Sequence, residues 1–299
     1  MRKLILAPAL AALLIPAVPA VAAPVSRAMT CPIGGEKFQF TTVESIVSWG
    51  ERPDGKPYGS FPLELPECPK NGLVLYKDYE PQEIAKLEPL IASDAYQALR
   101  KEDVAFYRAY WLMGQMGVPT GPRLIALQRA IWAADAKPQV RARYLGEFVT
   151  ETAKLPRKPE DVNWVGMEGR AINALRELGR FDEAAARLAK LPLSALAVAE
   201  PKATDRSAAA NQARARRNWL GYLQSLKTVI ARKDASAEPF DMLPKREWTG
   251  RCIDGRDLSE TQQAYCASQA RAVEEARAAR AKAGAELKAP SGEPEKAGR

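Results

Sequence analysis

The sequence predicts a mainly α-helical chain with a small β module near its amino terminus, and three observations carry that prediction. From Met29 to about Tyr79 the chain is rich in Gly, Pro, Thr, Ser and aromatic residues. It alternates over short pieces, KFQFTTVESIVSW and GLVLYKDY, divided by GERPDGKPYGSFP. Alternation bounded by Gly and Pro is the mark of strands and turns. From Pro81 onward, apolar residues instead recur at three- and four-residue steps, the period of a helix with one buried face. Finally, breaks at GVPTGP, DAKP, LPRKPED and LPLSALAVAEPKAT limit each helix to about a dozen residues, so successive helices fold back as antiparallel hairpins.

In chain order, the first segment is MRKLILAPALAALLIPAVPAVAAP: Arg2 and Lys3, an apolar run, then Ala20, Val21, Ala22 and Ala23. It reads as a secretory signal over 1–23, cut near Ala22 or Ala23; Pro8, Pro16 and Pro19 make it a poor membrane span. The β module is expected over 24–80. The helical domain is expected over 81–233, opening at PQEIAKLEPLIAS with Pro and acidic residues in the first turn. Its stripes are Phe106, Tyr110, Met113; Leu124, Leu127, Ile131, Ala134; Val140, Tyr144, Phe148; and Trp219, Leu223, Leu226, Ile230. A looser loop and a last helix from about Ser259 fill 234–284, and 285–299 reads as a disordered tail.

Composition excludes whole function classes. There is no histidine, which removes Ser-His-Asp and Cys-His hydrolases, His-ligated zinc hydrolases and any His general base. GxGxxG does not occur, and GERPDGK is followed by Pro57 where a phosphate-binding GxxxxGK loop needs Ser or Thr. Glu151, Asp161 and Glu168 are scattered rather than paired on a face, so a two-carboxylate glycosidase site has no support. The formal charge of +8 would suggest nucleic acid inside a cell. In an exported protein it reads as a solvated basic surface, and no nucleic-acid partner is expected. The sharpest basic run is Arg214, Arg216 and Arg217, either a solvated face or a patch for an anionic partner. RPDGKPYG, residues 52–59, reads as a turn, with a binding loop as its alternative. Phe106, Tyr107, Tyr110 and Trp111 put aromatics on more than one face of a helix, which suggests burial between the β module and the helices.

Two resemblances sharpen the architecture. RAINALRELGRFDEAAARLAKLP, Arg170 to Pro192, resembles a tetratricopeptide repeat. Leu175 and Leu178 end its first helix, Gly179 makes the turn, Phe181 and Ala184 open the second, and Leu188 stands near its close. The loops CPIGG (Cys31, Gly34, Gly35) and CPKNG (Cys68, Asn71, Gly72) each resemble the CPxCG knuckle of a zinc ribbon, with Gly34 and Asn71 where the second thiolate of each knuckle stands. Gly34 and Asn71 both tolerate left-handed backbone and so preserve the turn without a ligand. Joined, CPIGGEKF, RPDGKPYG, ECPKNG and the helices resemble an uncharacterised bacterial family that combines an amino-terminal zinc-ribbon-like module with tetratricopeptide-like helices. That resemblance implies a fold in which the module packs on antiparallel helical hairpins. It carries over no catalytic residue. Zinc is the cofactor it implies, but two thiolates without histidine do not close a zinc site, so no metal or cofactor is expected. In an oxidising compartment a Cys31–Cys68 disulfide replaces the metal, with Cu(I) on the two thiols as the alternative. Four cysteines allow three pairings, and the local one adds Cys252–Cys266.

Two function classes remain open. The first is an exported, periplasmic, non-catalytic interaction or scaffold protein without a stable membrane span, whose partner is another envelope protein; full secretion is the alternative location. The second is an envelope- or cell-wall-acting enzyme using carboxylates without histidine.

Overall fold

The computed structural model describes residues 24–43, 47–61 and 63–288. The expected signal segment 1–23, with its cleavage site, and the tail from residue 289 lie outside the described residues. Among the described residues helix accounts for 59%, in twelve α-helices and a 3-10 turn, beside two small antiparallel β-hairpins, so the expected fold class holds.

In the first hairpin, β1 (Pro24–Thr30) pairs with β2 (Lys37–Val43), placing Arg27 opposite Phe40 and Met29 opposite Phe38. The second hairpin pairs β3 (Val47–Glu51) with β4 (Pro57–Ser60) and forms a separate sheet, with RPDGK as its connection. GLVLYKDY, expected as a strand, supplies only the bridge Glu67–Val74. Leu73 and Val74 are fully buried beside the Cys31–Cys68 pair, and Leu75 N–H already donates to Pro66 O at 2.8 Å, so the segment is spent closing its own knuckle.

The helices follow their apolar stripes. α1 (Pro81–Ala92) opens on a capping box: the Glu80 side chain accepts from the Glu83 backbone N–H, while Glu80 N–H donates to the Glu83 carboxylate at 3.0 Å. α2 (Asp94–Glu102) is capped by Ser93 Oγ, which accepts from Tyr96 N–H at 3.3 Å. Next come α3 (Ala105–Gln115), α4 (Thr120–Ala133), α5 (Pro138–Thr152), α6 (Val162–Glu177) and α7 (Phe181–Leu188). α8 is one turn (Leu193–Leu196), and α9 (Ala208–Ala231) is the longest of the domain. α3 packs on α4, α4 on α5, α5 on α6, and α6 on both α7 and α9. Leu124, Leu127, Tyr144, Phe148, Ile172, Leu223 and Leu226 meet in one core, each side chain contributing about 1.5–3 kcal/mol by leaving water.

α3 joins this core to the β module. Phe106, Tyr107 and Tyr110 enter the main core, whereas Ala109 and Leu112, with Trp111 beside them, pack around the Cys31–Cys68 disulfide with Leu87, Ile91 and Tyr96. The aromatic cluster is thus buried at the junction, as its spread over two faces predicts. After α9, a 3-10 turn (Phe240–Met242) leads to α10 (Lys245–Asp254), α11 (Glu260–Ser268) and α12 (Ala270–Lys288), around a small core of Phe240, Leu243, Trp248 and Val273. Two boundaries differ from expectation. KREWTGRCID, read as loop, is α10, stopped by left-handed Gly255 (φ 62°). The last helix runs to Lys288, past the expected start of the tail at 285.

Candidate functional site

Both disulfides form with the local pairing, Cys31–Cys68 and Cys252–Cys266, each with Cα atoms 5.6 Å apart, within the usual range. The second joins two helices, α10 and α11, rather than a loop and a helix.

The two knuckles are held differently. Cys31 N–H donates to Glu36 O at 2.8 Å and Cys68 N–H to Leu73 O at 2.9 Å, each closing a tight backbone turn. In the second knuckle the left-handed residue is Gly72 (φ 75°) and not Asn71. Asn71 acts through its side chain, donating to Ile33 O of the other knuckle at 2.9 Å and accepting from Leu73 N–H at 2.9 Å. A hydrogen-bonded amide therefore stands where the zinc-ribbon pattern has a thiolate. In the first knuckle Gly34 (φ 89°) and Gly35 (φ 65°) are both left-handed, and a cysteine rarely adopts the backbone of Gly34. The carbonyls of Pro69, Lys70, Asn71 and Gly72 are taken by Arg100, Gln97, Tyr96 and Arg108 from α2 and α3. Arg108 also holds Glu67 through both nitrogens at 2.9 and 2.6 Å. Among the described residues no group of three or more Cys, Asp or Glu is arranged to hold a metal ion.

Arg170 to Pro192, which the sequence likens to a tetratricopeptide repeat, lie in the hairpin of α6 and α7. Leu175, Ala184 and Leu188 are buried, Leu178 and Phe181 pack beside them, and Gly179 (φ 73°) makes the left-handed turn that returns the chain. Gly179 N–H and Arg180 N–H cap the Arg176 and Leu175 carbonyls at 2.9 Å each.

The most elaborate polar site lies at the RPDGK turn, which docks against α4, α6 and α9. Gly55 N–H donates to Arg52 O and Arg52 N–H to Lys56 O, both at 2.8 Å, closing the turn. Four side chains from the three helices then read two consecutive carbonyls. Pro53 O accepts from Tyr222 Oη (2.7 Å) and from Arg170 Nη1. Asp54 O accepts from Gln128 Nε2 (2.9 Å) and Trp132 Nε1 (3.1 Å). Arg170 lies between the Trp219 and Tyr222 rings, 5.1 Å from each centroid, and its other nitrogen donates to Glu51 at 2.5 Å. Burial pushes the Tyr222 hydroxyl up to about 12, so it is a donor at neutral pH. At Gly55 (φ 87°) a Cβ would lie 2.8 Å from Gln128 Nε2 and 2.9 Å from Arg170 Nη2; a side chain meets strain in the backbone and in the space around it.

Around the Asp54 carboxylate, which is 5% exposed, runs a chain of ion pairs. Arg52 donates to it at 3.1 and 2.5 Å, Arg141 at 2.9 Å and Lys56 N–H at 3.0 Å. Arg52 and Lys56 also bind Asp135, just past α4, while Arg141 reaches Glu177 at 2.5 Å. Burial alone would push the Asp54 carboxyl up, but the hydrogen bonds and charge of Arg52, with the charge of Arg141, outweigh it and hold the group below the ordinary carboxylate range. Glu177 goes the other way: burial raises its proton affinity, and Arg141 and Arg176 offset that only in part. Arg176 is fully buried, with nitrogens on Asn173 Oδ1 (3.0 and 2.8 Å) and on the Asp234 and Ser236 carbonyls (2.6 Å each), which fixes the segment leading to α10.

The sequence reads this loop as a turn, with a binding loop as its alternative, and does not foresee its docking on the helices. Gln128 and Trp132 stand 74 and 78 residues from Asp54, whose carbonyl they bind, and Arg170 and Tyr222 stand 117 and 169 residues from Pro53. The available signal is an Asp-Gly turn with Arg and Lys at its ends. The basic run is also committed, to backbone and side-chain oxygens: Arg214 to Asp205 O (2.6 Å) and Asn211, Arg216 to Glu160 O (3.3 Å), Arg217 to Val198 O and Glu200 (3.2 Å each).

Comparison with models of known families, with curated proteins and with solved structures found no match to this chain. Among the described residues no helix is long and apolar enough to cross a membrane.

Proposed function

We propose that this chain is an exported, non-catalytic interaction protein of the bacterial envelope, whose helical hairpins bind another polypeptide and whose β module is clamped by a disulfide in place of the zinc of a zinc ribbon. The observation that carries the reading is the set of four donors on α4, α6 and α9 aimed at two successive backbone carbonyls. Donors directed at backbone suit recognition of a segment's shape, as in binding by helical repeats. The two disulfides fit an oxidising compartment.

The rival enzyme reading draws on Asp135 and Glu177, which line a cavity of about 430 Å³. Their oxygens are committed to Arg52, Lys56, Arg141 and Asn173, leaving neither carboxylate placed to take a substrate proton. The test is affinity capture from a periplasmic fraction under gentle conditions. A single envelope protein recovered in stoichiometric amount supports the scaffold reading; recovery of the chain alone counts against it.

A further inference from the structure

We propose that the face of α4, α6 and α9 is a recognition site for an Asp-Gly turn on a partner polypeptide, held closed in the isolated chain by its own Arg52–Lys56 turn. This rests on the interaction-protein reading and names the chemistry of the partner. Three features of the face set that chemistry. The four donors read carbonyl oxygens and so require a turn that points two successive carbonyls at the helices. Arg141, supplied by α5, requires a carboxylate on the second of those residues. The closeness of Gln128 and Arg170 requires glycine next.

The face extends beyond its present occupant. On one side a cavity of about 300 Å³ is lined by Val162, Met167 and Trp219. On the other, the cavity of about 430 Å³ includes Pro138, Leu145 and Leu178. A segment with apolar residues flanking its Asp-Gly turn gains contacts that the chain's own turn leaves unmade. That difference is what lets a partner displace a tethered competitor. A short tether supplies an effective concentration of the order of millimolar. A free segment that binds the open face at about 0.1 mM should therefore bind the closed chain roughly tenfold more weakly.

The test uses the full chain carrying Asp54→Lys with Gly55→Val, which expels the turn by like charge against Arg141 and by the space and backbone limits at Gly55. The probe is a peptide of the Val47–Ser60 sequence closed through an added cysteine at each end, because Val47 and Ser60 are cross-strand partners. Binding is read by calorimetry, beside a control peptide with valine in place of the turn glycine. The expected result is saturable binding of the first peptide to the variant, at least about tenfold weaker binding to the wild type, and none of the control. Should the double variant lose its helical circular dichroism, Asp54→Asn takes its place in the same titration. Equal binding of both peptides, equal affinity for variant and wild type, or no binding to a folded variant overturns the proposal. Capture of an envelope partner alongside such a failure would leave the interaction reading standing and remove only this site.

Discussion

Replacing Asp54 by Asn should cost stability out of proportion to one charge in a turn. The carboxylate is 5% exposed and accepts from two guanidinium groups and a backbone N–H. Removing one partner of a buried ion pair costs about 3–5 kcal/mol, because the other charge stays buried without compensation. Here each arginine keeps a second carboxylate, Arg52 on Asp135 at 2.8 and 3.0 Å and Arg141 on Glu177 at 2.5 Å. Asp135 is also 34% exposed, so water shares the load. Both facts place the loss near the lower end, about 3 kcal/mol. Chemical denaturation followed by tryptophan fluorescence measures it, since Trp132 donates to Asp54 O and reports the seated turn. The pH dependence has a definite sign. A carboxyl whose folded pKa is depressed adds stability that is complete above its unfolded value of about 3.9 and disappears as pH falls through the folded value. The gap between wild type and Asp54→Asn should therefore be widest near pH 7 and close progressively below pH ~4. A loss under about 1 kcal/mol, or a gap that does not change with pH, would refute the argument that this carboxylate is what seats the turn.

Three further outcomes follow from the same geometry. Replacing Cys31 and Cys68 together by Ser should cost about 4 kcal/mol, given a separation of 37 residues, and the Cys252 and Cys266 pair, 14 apart, about 3 kcal/mol, read as shifts in melting temperature. Asn71→Ala removes the amide bridge between the knuckles and should lower stability by about 1–2 kcal/mol in the same assay, with the disulfide intact. Arg176→Met should leave the Asp234 and Ser236 carbonyls without their donor and raise amide hydrogen exchange between Asp234 and Leu243 more than in α4 or α5; uniform exchange across the domain would contradict that assignment.

Much of the fold was legible because its signals are local. Leu124, Leu127, Ile131 and Ala134 fall on one helical face by spacing alone, and all are buried. Gly179 marks the α6–α7 turn because glycine readily takes φ near 73°. What escaped was set by distance or by side-chain chemistry. KREWTGRCID carries too few apolar residues in register to announce α10, which is held by Trp248 packing edge-on against Tyr265 of α11 and by the Cys252 cross-link. Asn71 invited a backbone explanation, yet it works through its amide. The RPDGK turn looks the same in sequence whether it waves in solvent or docks, because its binders Gln128, Trp132, Arg170 and Tyr222 belong to three separate helices.

The proposed function requires an exported module fastened by sulfur where a zinc ribbon uses metal. Its most direct measurement is peptide mapping without reduction, combined with amino-terminal sequencing and metal analysis, on protein isolated from its native cells. The expected result is Cys31–Cys68 and Cys252–Cys266 links, a chain beginning at Ala23 or Pro24, and no stoichiometric metal. Four free thiols, a Cys31–Cys252 link, or one zinc per chain on a polypeptide that retains Met1 would contradict it.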